Sequence, residues 1–312
     1  MGVVVLAGGS GGAKLARGML DVVGEDDLTV VANTGDDLEI YGSYVSPDPD
    51  LVTFSLLDRI EPRGWGLLED TFETMAGLKE IGADAWFSLG DRDLAYSIER
   101  KRRLDAGQSL TEAQVAIGAG LGLRAAVLPM CDEPVRTRVR TAGAWHDFQA
   151  FMIRQGGGAV EFDAVEGVEL AGIEATRITP EIQAAIANAE AIVIGPSNPV
   201  ISIGPILKVG GMRAALQASL APVVAVSPIV GGTSVKGPTM GFMRWAGVEP
   251  TSAGIAQLYA GVIDGLVADE RVDGVTTLET DTLMADPEAR RRVATQTVEF
   301  ARALRGAGGR SL

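Results

Sequence analysis

Residues 3–18 read VVVLAGGSGGAKLARG, an apolar run that ends in four glycines within five positions and then turns amphipathic. Val3, Val4, Val5 and Leu6 predict a short buried strand, because β-branched side chains suit a pleated surface. Ala13 to Leu20, with Leu15, Met19 and Leu20 on one face, predicts the helix that follows. A glycine loop between strand and helix leaves bare backbone N–H groups at the positive end of a helix dipole, which suits a phosphate. Neither well-known version of such a loop is complete. Lys14 is followed by Leu15, so no hydroxyl stands ready for magnesium, and the pattern G-x-G-x-x-G started at Gly9 fails at Lys14. A glycine turn that only lets helix and strand pack closely is the competing reading.

Outward from this stretch, strand-like and helix-like segments alternate. LTVVANT (28–34), AWFSLGD (85–91), AAVLPM (125–130), AIVIGP (191–196) and APVVAVSP (221–228) predict strands. WGLLEDTFETMAGLKEIG (65–82), with Leu67, Leu68, Phe72, Met75 and Leu78 at helical spacing, TEAQVAIGAGLG (111–122) and TPEIQAAIANAE predict helices, the last capped by Thr179 with Pro180 in its first turn. VRTRVRT and WHDFQAF alternate polar and apolar residues and predict an antiparallel excursion over about 131–175. The expected fold is therefore α/β, a Rossmann-like three-layer arrangement around a mostly parallel sheet, in one domain over residues 1–305. Residues 306–312, within the RGAGGRSL end, are expected to form a disordered tail.

The composition narrows the partners. A net charge of -14 excludes a basic groove for nucleic acid and an anionic membrane surface, so any nucleotide must be held by local features. No apolar stretch approaches the length of a spanning helix and the chain opens on a strand, so neither a membrane span nor a signal peptide is expected. One cysteine, Cys131, leaves no internal disulfide and fits a reducing cytoplasm. Its acidic neighbours Asp132 and Glu133 disfavour a thiolate, and the single histidine, His146, reads as structural. One histidine and one cysteine cannot build a zinc site of the usual kind, so any metal, magnesium or manganese, needs oxygen ligands.

Ligands on parallel sheets collect at the carboxyl ends of the strands. Polar, glycine- or proline-rich clusters stand at five expected strand ends: Gly8–Gly12, Asn33–Asp37, Gly90–Asp93, Pro196–Pro199 and Ser227–Gly232. Five such clusters at one edge describe a site, whereas one would be a turn. Asp36, Asp37 and Asp50 are the candidate metal ligands, Asp48 being a further acid nearby. Asp50 first and Asp37 second are the candidate catalytic bases. Arg92 could reach a phosphate, with Asp91 and Asp93 capping the helix that follows it; Ser197 and Asn198 could bind a base or ribose edge.

Together LAGGSGGAKLARG, NTGDD, SPDPDL, RGWG, LGDRD, LPMCDEPVRT, GPSNPVISIGPIL and VSPIVGG resemble the 2-phospho-L-lactate transferase (CofD) family, in order from residue 3 to about 270. That family completes the side chain of the deazaflavin coenzyme F-420. The resemblance implies a transferase with a guanosine-diphosphate-activated 2-phospholactate or phosphoenolpyruvate donor, the ribityl hydroxyl of the deazaflavin Fo as acceptor, and GMP as leaving group. It implies that Gly8, Gly9, Ser10, Gly11, Gly12 and Lys14 cradle the diphosphate. Ser197, Asn198, Ser227 and Gly231 would border the nucleotide, and Asp50 would meet the deazaflavin. The position of a second deazaflavin contact, often lysine in the family, is Ser88 here. A homodimer is the expected assembly. Two other classes compete with it: a nucleotide-sugar-binding regulator of a related family, and a nicotinamide oxidoreductase. For the oxidoreductase, the second strand would end in an acid rather than in Asn33-Thr34.

Overall fold

The computed structural model describes residues 2–61, 64–154, 165–234 and 238–308. Seven strands form its central sheet: β1 (Gly2–Ala7), β2 (Leu28–Ala32), β3 (Ala126–Pro129), β4 (Ala189–Ile194), β5 (Val223–Val226), β6 (Gly265–Ala268) and β7 (Thr276–Glu279). All pair in parallel, in the order β7-β6-β5-β4-β1-β2-β3. This is the doubly wound order, with the reversal between β1 and β4. Val3 and Val5 face one core while Val4 and Leu6 face the other, as period two requires. Both faces are covered, which is why these strands read as unbroken apolar runs.

On the first face lie α1 (Gly9–Val23), α2 (Pro47–Leu56) and the terminal helix Pro287–Gly308, packing Leu15, Met19, Val52, Val293 and Val298 against the sheet. Helices Pro180–Ala187, Ile203–Lys208, Met212–Ala218 and Ser252–Leu258 cover the other. The expected excursion is a three-stranded antiparallel sheet, Ala144–Asp147, Arg136–Thr141 and Gly167–Ala171, with helix Phe148–Arg154. His146 pairs with Val139 inside it. The terminal helix continues through Gly308, into the tail expected from residue 306; residues 309–312 lie outside those described. Among the described residues no helix is long and apolar enough to cross a membrane.

Three local expectations are corrected. Residues 85–91 form no strand: Ala85 and Leu89 bury against a satellite cluster with Val45, Met75 and Leu94, and the sheet position beside β2 belongs to β3. The helix expected over 65–82 is confined to Glu73–Glu80. Positive φ angles at Gly64, Gly66 and Glu69 turn the chain before it, and Leu67 bridges back to Ile60. Finally, α1 begins at Gly9 rather than Ala13, so the glycines are wound into its first turn.

The helices Asp91–Asp105 (α3) and Glu73–Glu80 are capped reciprocally. Asp70 accepts the backbone N–H groups of Arg92 and Asp93 at the start of α3. Asp91 accepts those of Glu73 and Thr74, so it caps the preceding helix rather than its own, and these bonds with Thr71 hold its carboxyl below the usual range.

Candidate active site

The carboxyl ends of β1 and β4 open into one cavity of about 1390 Å³. Its floor is the first turn of α1. Gly8 N–H donates to Ser197 Oγ at 3.2 Å, tying the loop after β1 to the loop after β4 across the strand-order reversal. The glycines divide the two readings between them. Gly8, Gly9, Ser10 and Gly11 line the cavity. Gly12 does not: a Cβ there would stand 2.6 Å from Ser197 Oγ and 2.8 Å from Ala7 Cβ, so it serves close packing. Lys14 lines the cavity and donates to the Met284 carbonyl at 3.2 Å. Asn198 spends its carbonyl oxygen on the N–H groups of Val200 and Ile201, leaving its buried amide nitrogen without a partner among the described residues. Ser227 also faces the cavity, hydrogen-bonded to Ser252.

The acids separate by role. Asp48 accepts from Gly9 N–H at 2.7 Å and from Asn33 Nδ2 at 3.0 Å, and it lines the cavity. Asp36 lines it too, and its Oδ1 is buried without a hydrogen-bond partner among the described residues. Burial, then the charges of Asp48 and Asp37, lifts Asp36 well above the usual carboxylate range. Asp37 lies behind the wall, accepts from Ser46 Oγ at 2.8 Å, and is pushed by burial up to about 8. Asp50 reaches the cavity, but both its oxygens meet the buried guanidinium of Arg100, which also binds Gln114 Oε1 and the Tyr44 carbonyl. A carboxylate whose charge is already neutralised by a buried guanidinium is poorly placed to ligate a metal or take a proton, whereas the neutral donors to Asp48 leave its charge available.

Two other expected contacts lie off the wall. Arg92 donates to the carbonyls of Leu68 and Glu69, strapping the turn before Glu73–Glu80 rather than reaching a phosphate. Gly231 N–H binds Asp269 Oδ2, while its neighbours Pro228 and Val230 line the cavity. Arg63, within the RGWG motif, lies outside the described residues. Burial pushes the Cys131 thiol up to about 12, which makes it a poor nucleophile.

Sequence reasoning missed the aromatic lining of the cavity. Phe54, Trp65, Phe72, Trp86, Phe87 and Phe148 line it, with Ser88 beside them. Only 5% of the chain is aromatic, so six such residues in one cavity lining is a concentration, invisible in sequence because they come from four separate segments. Trp86 is also covered by the Arg154 guanidinium, 4.8 Å from its ring centre. Thr282 to Ala285, between β7 and the terminal helix, close the side near Lys14.

Sheet order and cavity define a doubly wound α/β protein with a ligand site at its topological switch point, lined by both polar and aromatic residues. The chain belongs to the 2-phospho-L-lactate transferase CofD family, whose sequence profile matches residues 3–300, and it is an enzyme of the transferase class. It is 39% identical to the 2-phospho-L-lactate transferase of Methanosarcina mazei over 307 residues, covering 95% of this chain and 99% of that one. It is 38% identical to the phosphoenolpyruvate transferase of Kitasatospora aureofaciens over 323 residues, covering 98% and 99%. A crystal structure of an upf0052 family member from Bacillus halodurans shares the fold, with a TM-score of 0.61 at 16% identity over 95% of this chain and 98% of that one.

Proposed function

We propose that the protein transfers a 2-phospholactyl or phosphoenolpyruvyl group from a guanosine-diphosphate-activated donor to the ribityl hydroxyl of the deazaflavin Fo, releasing GMP. The supporting observation is that one cavity is lined both by the polar glycine turn and by six aromatic side chains. The glycine turn, Lys14 and Asn198 suit a diphosphate and its nucleoside, and Trp65, Phe72 and Trp86 suit a flat tricyclic acceptor. Relatives of both donor types stand at similar identity, so both acids are candidates. The oxidoreductase reading is disfavoured, because Asn33, where a ribose-binding acid would stand, is spent on Asp48 and Gly35.

Magnesium or manganese fits the donor set in one way. Among the described residues no group of three or more His, Cys, Asp or Glu side chains is gathered as a metal site. Magnesium commonly binds through one or two carboxylates plus substrate phosphates, however. Asp36, with its unpartnered buried oxygen, and Asp48 would hold it, rather than Asp37 and Asp50. Bound there, the ion would neutralise phosphoryl charge. A cytoplasmic setting belongs to the same reading and rests on the single, buried cysteine.

The test is mass spectrometry of the product from Fo and each activated acid, with thermal shifts by GDP, UDP and NADPH. Fo carrying the added phosphoacid, with stabilisation by GDP, supports the reading. A shift by NADPH or UDP but not GDP rejects the nucleotide, and no product with any donor rejects the reaction.

A further inference from the structure

The acceptor hydroxyl must lose a proton as it attacks phosphorus, and the residue favoured from sequence for that task, Asp50, is held at both oxygens by Arg100. Asp93 differs from it. It lines the cavity, half-buried, and its side chain has no hydrogen-bond or ion-pair partner among the described residues. It stands in the first turn of α3, where its backbone N–H is held by Asp70 at 3.2 Å. Asp70 belongs to the segment that carries Trp65 and Phe72, and Asp50 follows Asp48, the partner of the glycine turn, by two residues. Asp93 is close enough to Asp50 and Asp70 to feel both charges, one from α2 and one from the segment of Trp65 and Phe72.

We propose that Asp93 is the catalytic base that takes the acceptor's hydroxyl proton. The proposal rests on the transfer reaction above. In the step, the hydroxyl oxygen forms a bond to the donor's distal phosphorus. The bridging P–O bond breaks, its electron pair leaving on the nucleoside monophosphate, and the proton passes to an Asp93 carboxylate oxygen. The charged groups that face Asp93 are Asp50 from α2, Asp70 from the preceding segment and Arg100 from its own helix. Burial and the two carboxylates outweigh the guanidinium and set Asp93 at about 7, a value suited to a base at neutral pH.

Single-turnover rates are measured from pH 5.5 to 9 for the wild-type chain and for Asp93→Asn, Asp93→Glu and Asp93→Ala, with GDP-induced melting shifts as a check on the fold. The wild-type rate is expected to rise through about pH 7. Asp93→Asn should lose ~10²-fold or more together with that rise, while keeping the GDP shift. Asp93→Glu should recover part of the rate, and added formate should restore part of it to Asp93→Ala, an effect that a purely structural role would not produce. A near-wild-type rate with an unchanged pH profile in Asp93→Asn overturns the assignment and leaves the reaction standing. Absence of product from the wild-type chain with every donor removes the reaction and the assignment together.

Discussion

Asp48 accepts the backbone N–H of Gly9 at 2.7 Å, which ties the first turn of α2 to the first turn of α1. Its other oxygen accepts from Asn33 Nδ2 at 3.0 Å, so the carboxylate is anchored from β2 as well. A negative charge therefore stands at the mouth of the turn where the donor phosphates are proposed to bind. It rigidifies the cradle and repels the ligand, unless a cation lies between them.

That opposition gives a signed expectation for Asp48→Asn. The amide keeps one acceptor for Gly9 but loses the charge and the Asn33 bond, for a stability loss of about 1–2 kcal/mol. GDP affinity in EDTA should rise relative to wild type, and the strengthening by magnesium should shrink. Calorimetric titration with and without the metal reads both. An undiminished magnesium effect would remove Asp48 from the cation's ligands.

The Asp50–Arg100 pair is buried, with Arg100 side-chain exposure at 0%. Removing one partner strands the other's charge, so Arg100→Met should cost about 3–5 kcal/mol in urea unfolding. Arg100→Met combined with Asp50→Leu should recover more than half of that. A small loss in the single variant would mean that water reaches the pair.

Two glycine-to-alanine changes should act in opposite directions. At Gly11 a Cβ would lie 2.1 Å from the Pro196 carbonyl oxygen, a backbone atom with no room to retreat. Gly11→Ala should cost about 1–3 kcal/mol and weaken GDP binding. Gly77, inside helix Glu73–Glu80, has nothing within 4 Å of its Cβ position, so Gly77→Ala should stabilise by up to about 1 kcal/mol. Thermal melts of the two variants side by side test the pair.

Of the four tryptophans, Trp65 and Trp86 line the cavity while Trp145 and Trp245 do not. Binding of Fo should quench tryptophan fluorescence in the wild type and in Trp145→Phe, but little in the Trp65→Phe/Trp86→Phe double variant. Trp86→Ala should raise the acceptor KM about 10-fold with donor affinity unchanged, consistent with stacking worth ~1 kcal/mol or more. Equal quenching in all variants would place the acceptor elsewhere.

The sheet and the glycine turn were legible along the chain because their signals are local. Val3 to Leu6 are apolar at every position since both faces of β1 are buried, and glycines follow because the Gly8–Gly12 turn passes against Pro196, Ser197 and Ala7. The switch-point edge followed from the strand ends. What escaped depends on partners distant in sequence. The stretch 85–91 has a strand's apolar content, yet it lies on a satellite cluster with no strand to pair with, and periodicity records burial rather than hydrogen bonding. Asp50 reads like any acid in SPDPD until Arg100, fifty positions away, occupies both its oxygens, while Asp93 in LGDRD is left without a side-chain partner among the described residues. Charge neutralisation and proton affinity are set by which side chains the folded chain brings together, and that is information only the tertiary structure holds.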